Sequence, residues 1–148
     1  VKPHGALYDM ASKDERLSRT IIEAIQQVNP KLILFAPPRS LTAKAAGKMG
    51  QPFALEAFAD RAYNEDGTLV LRSQPNAVIF DPNLVAERVV QMINEGTVSA
   101  INNRTVQLGE VHTICVHGDT ETAVELAKSL KVKLREARIE VQSVSRFL

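Results

Sequence analysis

Short apolar runs alternate along this chain with segments whose apolar positions recur every three or four residues. Ser12, with Glu15 three residues on, reads as a capping box. Leu17, Ile21, Ala24, Ile25 and Val28 then follow at helical spacing until Asn29-Pro30 stops the helix. Lys31 to Ala36 is a nearly continuous apolar run, as expected of a parallel strand covered on both faces. Ser40 caps a second helix carrying Leu41, Ala45 and Met49, which Gly50 ends, and Gln51 to Phe58 gives a second strand. Ala77 to Phe80 is a short apolar piece before Asp81-Pro82, a carboxylate at a cap and a proline at a first helical position. Leu84, Val85, Val89, Met92 and Ile93 continue that helix, and Gly96 closes it. Thr97 to Ile101 and Thr105 to Leu108 form a hairpin around Asn102-Asn103-Arg104. His112 to Val116 predicts a strand, the stretch from about Thr120 to about Ala137 a long helix, and Ile139 to Val144 a last strand. Strand, loop and helix repeated in this way specify an α/β fold with a parallel sheet and crossover helices.

Composition narrows the function classes. The 148 residues are 45% hydrophobic, enough for one domain with its own core, and the expectation is a single domain over 1–148. Eighteen basic against seventeen acidic residues leave a net charge of +1, which gives nucleic acid no basic face to bind. One cysteine, Cys115, cannot form an intrachain disulfide, and no apolar stretch approaches the roughly 20 residues that span a bilayer. A cytoplasmic protein without a membrane segment is expected. The chain opens on Val1 with a polar motif directly after it, and this abrupt start reads as a piece of a longer domain.

In parallel α/β folds, functional side chains gather where strands end and loops lead into helices. Three polar clusters occupy such places. In Val1-Lys2-Pro3-His4-Gly5-Ala6-Leu7-Tyr8, Lys2 and His4 project to one side of an extended segment, a cation beside an imidazole. Such a pair suits anion binding and proton transfer, although an ordinary turn explains it too. Glu56, Asp60, Arg61 and Tyr63, with Arg72 beyond Asp66-Gly67, form the second. Two carboxylates can hold different protonation states for acid–base work, and an arginine can fork onto a carboxylate or phosphate; a surface salt-bridge group is the plain alternative. The third is Cys115-Val116-His117-Gly118-Asp119, which sets an imidazole at a strand end and places Asp119 where a helix cap belongs. Cys115 reads as core packing, and His112 as facing solvent. No phosphate-binding glycine loop and no zinc-type cysteine spacing occurs. A metal site on His4 and His117 is an alternative.

VKPHGALY at 1–8, EAFADRAYNEDGTLVLR at 56–72, NAVIFD at 76–81 and TICVHGD at 113–119 together resemble signature segments of the LamB/YcsF family, in the right order over nearly the whole chain. That family supplies the A-subunit of the bacterial ATP-dependent 5-oxoprolinase. The resemblance implies a partial (β/α) barrel of the glycoside hydrolase/deacetylase type. It also implies an activity that opens 5-oxoproline (pyroglutamate) to L-glutamate with ATP as co-substrate, alongside subunits B and C. Carried over motif by motif, Lys2, His4 and Tyr8 match the Lys-Pro-His-Gly segment, Glu56, Asp60 and Arg61 the Glu-x-Phe-Ala-Asp-Arg segment, and His117 and Asp119 the Val-His-Gly-Asp segment. The expected catalytic residues are therefore His4, Glu56, Asp60, His117 and Asp119, with Lys2, Tyr8, Arg61 and Arg72 on substrate. No metal ligand is assigned. Asn76 and Phe80 stand where family members often have Gly and His. The family's Asp-Leu-Asn-Cys-Asp and Cys-Gly-Phe-His segments do not occur. A half-barrel would leave unpaired strand edges, so a homo-oligomer or a complementing half is expected. Rival readings are a metal-dependent deacetylase-like hydrolase acting on carbohydrate, and a truncated, non-catalytic interaction subunit.

Overall fold

The computed structural model describes residues 1–146, which group into two compact units: Val1–Glu56 with the segment from Gln142 onward, and Ala57–Val141. In the first, helices α1 (Ala6–Lys13), α2 (Glu15–Val28) and α3 (Leu41–Lys48) accompany strands β1 (Leu34–Ala36) and β2 (Phe53–Phe58), and the last two residues of β2 enter the second unit. β1 and β2 run parallel, with Leu34 opposite Phe53 and Ala36 opposite Leu55, and α3 is the crossover between them. The Val1 segment lies along β1: its amino group donates to the Ile33 carbonyl at 2.7 Å, and its carbonyl accepts from the Phe35 N–H at 2.9 Å. Ile22, Ile25, Leu34, Ala45 and Ala46 form the buried core here, with Leu32, Met49 and Phe53 packed against it. Among the described residues after Gln142, this unit holds a 3-10 turn, Val144–Arg146.

One helix boundary differs from the sequence expectation. Ser12 lies inside α1, where its hydroxyl donates to the Asp9 carbonyl, and the cap of α2 is Asp14, whose carboxylate accepts from the Leu17 N–H at 2.9 Å. Asp14 is extended (φ −126°, ψ 110°), so the chain leaves one helix and enters the next at this residue. The Ser12–Glu15 spacing matched a capping box, yet the carboxylate next to Glu15 is the group in place to accept.

The second unit contains α4 (Pro82–Glu95), the antiparallel pair β3 (Thr97–Ser99) and β4 (Thr105–Gln107), β5 (Thr113–Cys115) and α5 (Ala123–Glu136). Val85 and Val89 of α4 meet Leu126, Leu130 and Leu134 of α5, with Ala59, Ile114 and Val116 against them. Asp81 caps α4 as expected, accepting from the Asn83 and Leu84 N–H groups. Gly96 ends the helix in left-handed geometry (φ 63°). A methyl group on Gly96 would sit 2.6 Å from the Gly109 carbonyl oxygen. Gly96→Ala is therefore expected to lose about 1–3 kcal/mol through backbone strain alone, and more through the clash. An unchanged midpoint in thermal denaturation would contradict this.

The expected last strand does not form, and the short apolar piece before α4 is not a strand either. Ala77 to Phe80 makes one antiparallel bridge, Arg61 to Val78, and braces the neighbouring loop through Ala62 N–H to Ala77 O and Ile79 N–H to Asp60 O. Among the described residues, Ile139 to Val144 pairs in no strand ladder. Arg138 takes left-handed geometry (φ 59°), and Ile139 donates back to the Leu134 carbonyl at 2.9 Å while packing on the core. That is the apolar residue of a helix C-cap, which explains its hydrophobicity without a strand. Strands β1 and β2 with their crossover give a mixed α/β fold that fits a partial β/α barrel. Among the described residues, no helix is long and apolar enough to cross a membrane.

Candidate active site

In the second unit, the polypeptide turns directly after β2. Phe58 and Asp60 share strand parity, and Tyr63 pins the strand end by accepting the Phe58 N–H on its hydroxyl at 2.8 Å. β5 delivers the other component: Ala59 N–H bonds the Cys115 carbonyl at 3.0 Å, which brings the residues just after β5 beside Asp60. His117 then faces Asp60. Its Nδ1 lies 2.8 Å from Oδ1 and 3.0 Å from Oδ2, and its backbone N–H donates to Oδ2 at 3.1 Å. The His117 ring stacks on Phe58 with centroids 5.7 Å apart and planes inclined by 22°.

This geometry sets the imidazole's chemistry. A carboxylate only accepts, so Nδ1 carries the proton toward Asp60 and Nε2 keeps its lone pair. Asp60 is 1% exposed while the His117 side chain is 23% exposed, so the orienting group is buried and the imidazole is partly open to solvent. A base whose second nitrogen is held by a buried carboxylate is the arrangement used to move a proton to or from a reacting group.

Asp119 follows two residues later, and the structure corrects its alternative role. It does not cap α5, whose N-cap is Thr122; its carboxylate pairs with Arg72 Nη1 at 2.9 Å. The hydrogen bond from Arg72 holds the Asp119 carboxyl below the usual aspartate range, with smaller help from its own backbone N–H and from the charge of Arg72. Both partners are about half exposed, which leaves the guanidinium open to a competing carboxylate. Arg61 departs from its expected place on substrate. It is buried, and its Nη2 and Nε donate to the Val70 and Ala77 carbonyls at 2.6 and 3.3 Å, which makes it a brace of the loop after Asp60.

The first unit holds a second cluster. Lys2 Nζ lies 2.9 and 2.7 Å from the two Glu56 carboxylate oxygens, and the Tyr8 hydroxyl donates to Oε2 at 3.0 Å. The ammonium also stands 5.3 Å from the centre of the Tyr8 ring. Glu56 is buried, and its oxygens are spent on Lys2 and Tyr8, so its geometry is that of a group orienting the ammonium. His4 is exposed on the turn that Gly5 (φ 56°) makes into α1. His112 does not face solvent freely: its side chain is 17% exposed and stands 3.3 Å from Glu110. Cys115 is half-buried.

One residue was absent from the sequence expectations. Arg88, on the buried side of α4 with Val85, Val89 and Met92, donates from Nη2 to the Arg61 carbonyl and from Nη1 to the Ser99 carbonyl, both at 3.1 Å. A cation at the 3–4 spacing of an apolar face was the available signal.

The LamB/YcsF family model matches residues 1–148. A protein named as the 5-oxoprolinase A-subunit from Coprothermobacter proteolyticus is 49% identical over all 148 residues, and one of the same name from Thermococcus onnurineus is 48% identical. The chain covers 56% and 58% of those two proteins, so it spans a little over half the length of the curated relatives it matches. Among solved structures, a lactam utilization protein from Thermus thermophilus superposes with a TM-score of 0.84 at 37% identity, over 96% of this chain and 56% of that one. This chain belongs to the LamB/YcsF family.

Proposed function

We propose that this chain forms part of the A-subunit of an ATP-dependent hydrolase that opens 5-oxoproline to L-glutamate, working with subunits B and C. The Asp60–His117 dyad, a partly exposed imidazole 2.8 Å from a buried carboxylate, carries the reading. Membership beside proteins named as 5-oxoprolinase A-subunits supports it. A lactam is a resonance-stabilised amide, so its hydrolysis needs a base for water, an acid for the departing ring nitrogen and positive charge near the developing oxyanion. His117 takes the proton from water at Nε2 and returns it to the ring nitrogen as the C–N bond breaks, while Asp60 stabilises the imidazolium formed between. Arg72 exchanges Asp119 for the substrate carboxylate, a bidentate match that a lysine would not give. In the first unit by itself, Glu56 and Tyr8 hold Lys2 as a fixed ammonium.

ATP belongs to this reading as the co-substrate of the assembly, supplying activation of the amide oxygen. The sequence has neither common phosphate-binding glycine loop, and no step assigned to these residues passes through the nucleotide. The test is glutamate formation from 5-oxoproline and ATP by the protein carrying this chain, assembled with subunits B and C. Glutamate should appear with all components and fall to background when His117→Ala replaces the native protein. Unchanged turnover in that variant would overturn the assignment.

A further inference from the structure

We propose that Arg88 is a positioning residue for the Asp60–His117 dyad, acting through the backbone of the turn that carries Asp60. As a claim about catalysis it rests on the dyad reading; as a claim about geometry it stands alone. The turn is held at several of its peptide groups. The Tyr63 hydroxyl takes the Phe58 N–H, Ile79 N–H takes the Asp60 carbonyl, and Arg88 Nη2 takes the Arg61 carbonyl at 3.1 Å. The same guanidinium reaches the Ser99 carbonyl, so one side chain ties the Asp60 turn to α4 and to β3.

The nature of this residue argues for more than packing. Arg88 is 9% exposed, and burial pulls its guanidinium below its ordinary pKa, an effect only partly opposed by Tyr63. Its Nε has no partner among the described residues. A buried charge with an unsatisfied donor is a poor choice for stability alone, because apolar side chains of similar volume commonly serve as well. What a guanidinium offers, and an apolar residue lacks, is a rigid fork that fixes two carbonyls at once. Fixing the Arg61 carbonyl fixes the Arg61–Ala62 peptide, one residue beyond Asp60, and with it the turn from which the Asp60 carboxylate reaches His117 Nδ1. A displacement near 1 Å in such a group costs about 100-fold in rate.

Two readouts separate this role from simple support of the fold. With histidine ring nitrogens labelled with nitrogen-15 and the spectrum read on the neutral-imidazole form, the unsubstituted protein should show the His117 proton on Nδ1. Arg88→Met should convert this to a mixture of the two tautomers and lower kcat about tenfold or more, with KM within twofold. Arg88→Lys, which can still reach one carbonyl, should recover part of both. Val89→Ala, a cavity on the same helix at a fully buried position, is the control for lost stability and should leave the tautomer on Nδ1. A pure Nδ1 tautomer in folded Arg88→Met, or the same mixture in Val89→Ala, would overturn the proposal. Should Arg88→Met not fold, a pure Nδ1 tautomer in Arg88→Lys would do so. If the tautomer shifts as expected while the assembled native protein forms no glutamate, the hydrolase reading fails and the positioning role does not.

Discussion

Asp60→Asn is expected to lower kcat by about three to four orders of magnitude while leaving the fold intact. The substitution keeps shape and volume, so the packing around a residue that is 1% exposed is preserved. Its effect comes from hydrogen-bond direction. The Asn carbonyl oxygen can still accept the His117 backbone N–H, now made to Oδ2 at 3.1 Å. That choice turns the amide NH2 group toward Nδ1. The NH2 group at the nearer position, 2.8 Å from Nδ1, only donates, so that contact favours a lone pair on Nδ1 and the ring proton on Nε2, opposed only by the carbonyl oxygen at 3.0 Å. The imidazole then meets water with an N–H where a base is needed. Steady-state kinetics on the assembled enzyme check this, with the melting temperature as a control for folding. A kcat within tenfold of the unsubstituted enzyme would show that His117 is not the base.

How much of this was legible in the sequence depends on whether the signal was local. The Asp81-Pro82 start and Gly96 stop of α4 were readable because cap chemistry acts within a few residues. The hairpin around Asn102-Asn103 was readable because Asn103 must take positive φ there. Asp60 and His117 stood out as polar residues at strand ends, but their 2.8 Å contact joins positions 57 apart, which no spacing rule encodes. Local signals also misled. Ile139 is apolar because it finishes a helix cap, and Asp119, placed where a cap belongs, is drawn to Arg72 instead. Arg61 looked like an anion binder from its type alone, whereas burial commits it to backbone carbonyls. Arg88 escaped notice because a lone cation on an apolar helix face usually snorkels to solvent.

The Lys2–Glu56 pair should show the largest stability effect of any charged group in the first unit. Lys2→Met removes the ammonium from a carboxylate that is 4% exposed and leaves it one neutral donor, the Tyr8 hydroxyl. An uncompensated buried charge costs about 3–5 kcal/mol, because the desolvation of Glu56 is no longer offset. The loss should appear as a lower urea midpoint at neutral pH. Lys48 and Glu15 provide the contrast within the same unit. That pair is 69% and 51% exposed at 3.3 Å, and Lys48→Met should change stability by less than about 1 kcal/mol. Coupling distinguishes a charge effect from lost packing. In Lys2→Met with Glu56→Leu no buried carboxylate remains, so the double variant should recover most of the stability that Lys2→Met loses. If the double variant is instead as unstable as the sum of the two single changes, Lys2 contributes through its methylene contacts and Tyr8, and the ammonium is not what holds Glu56 in place.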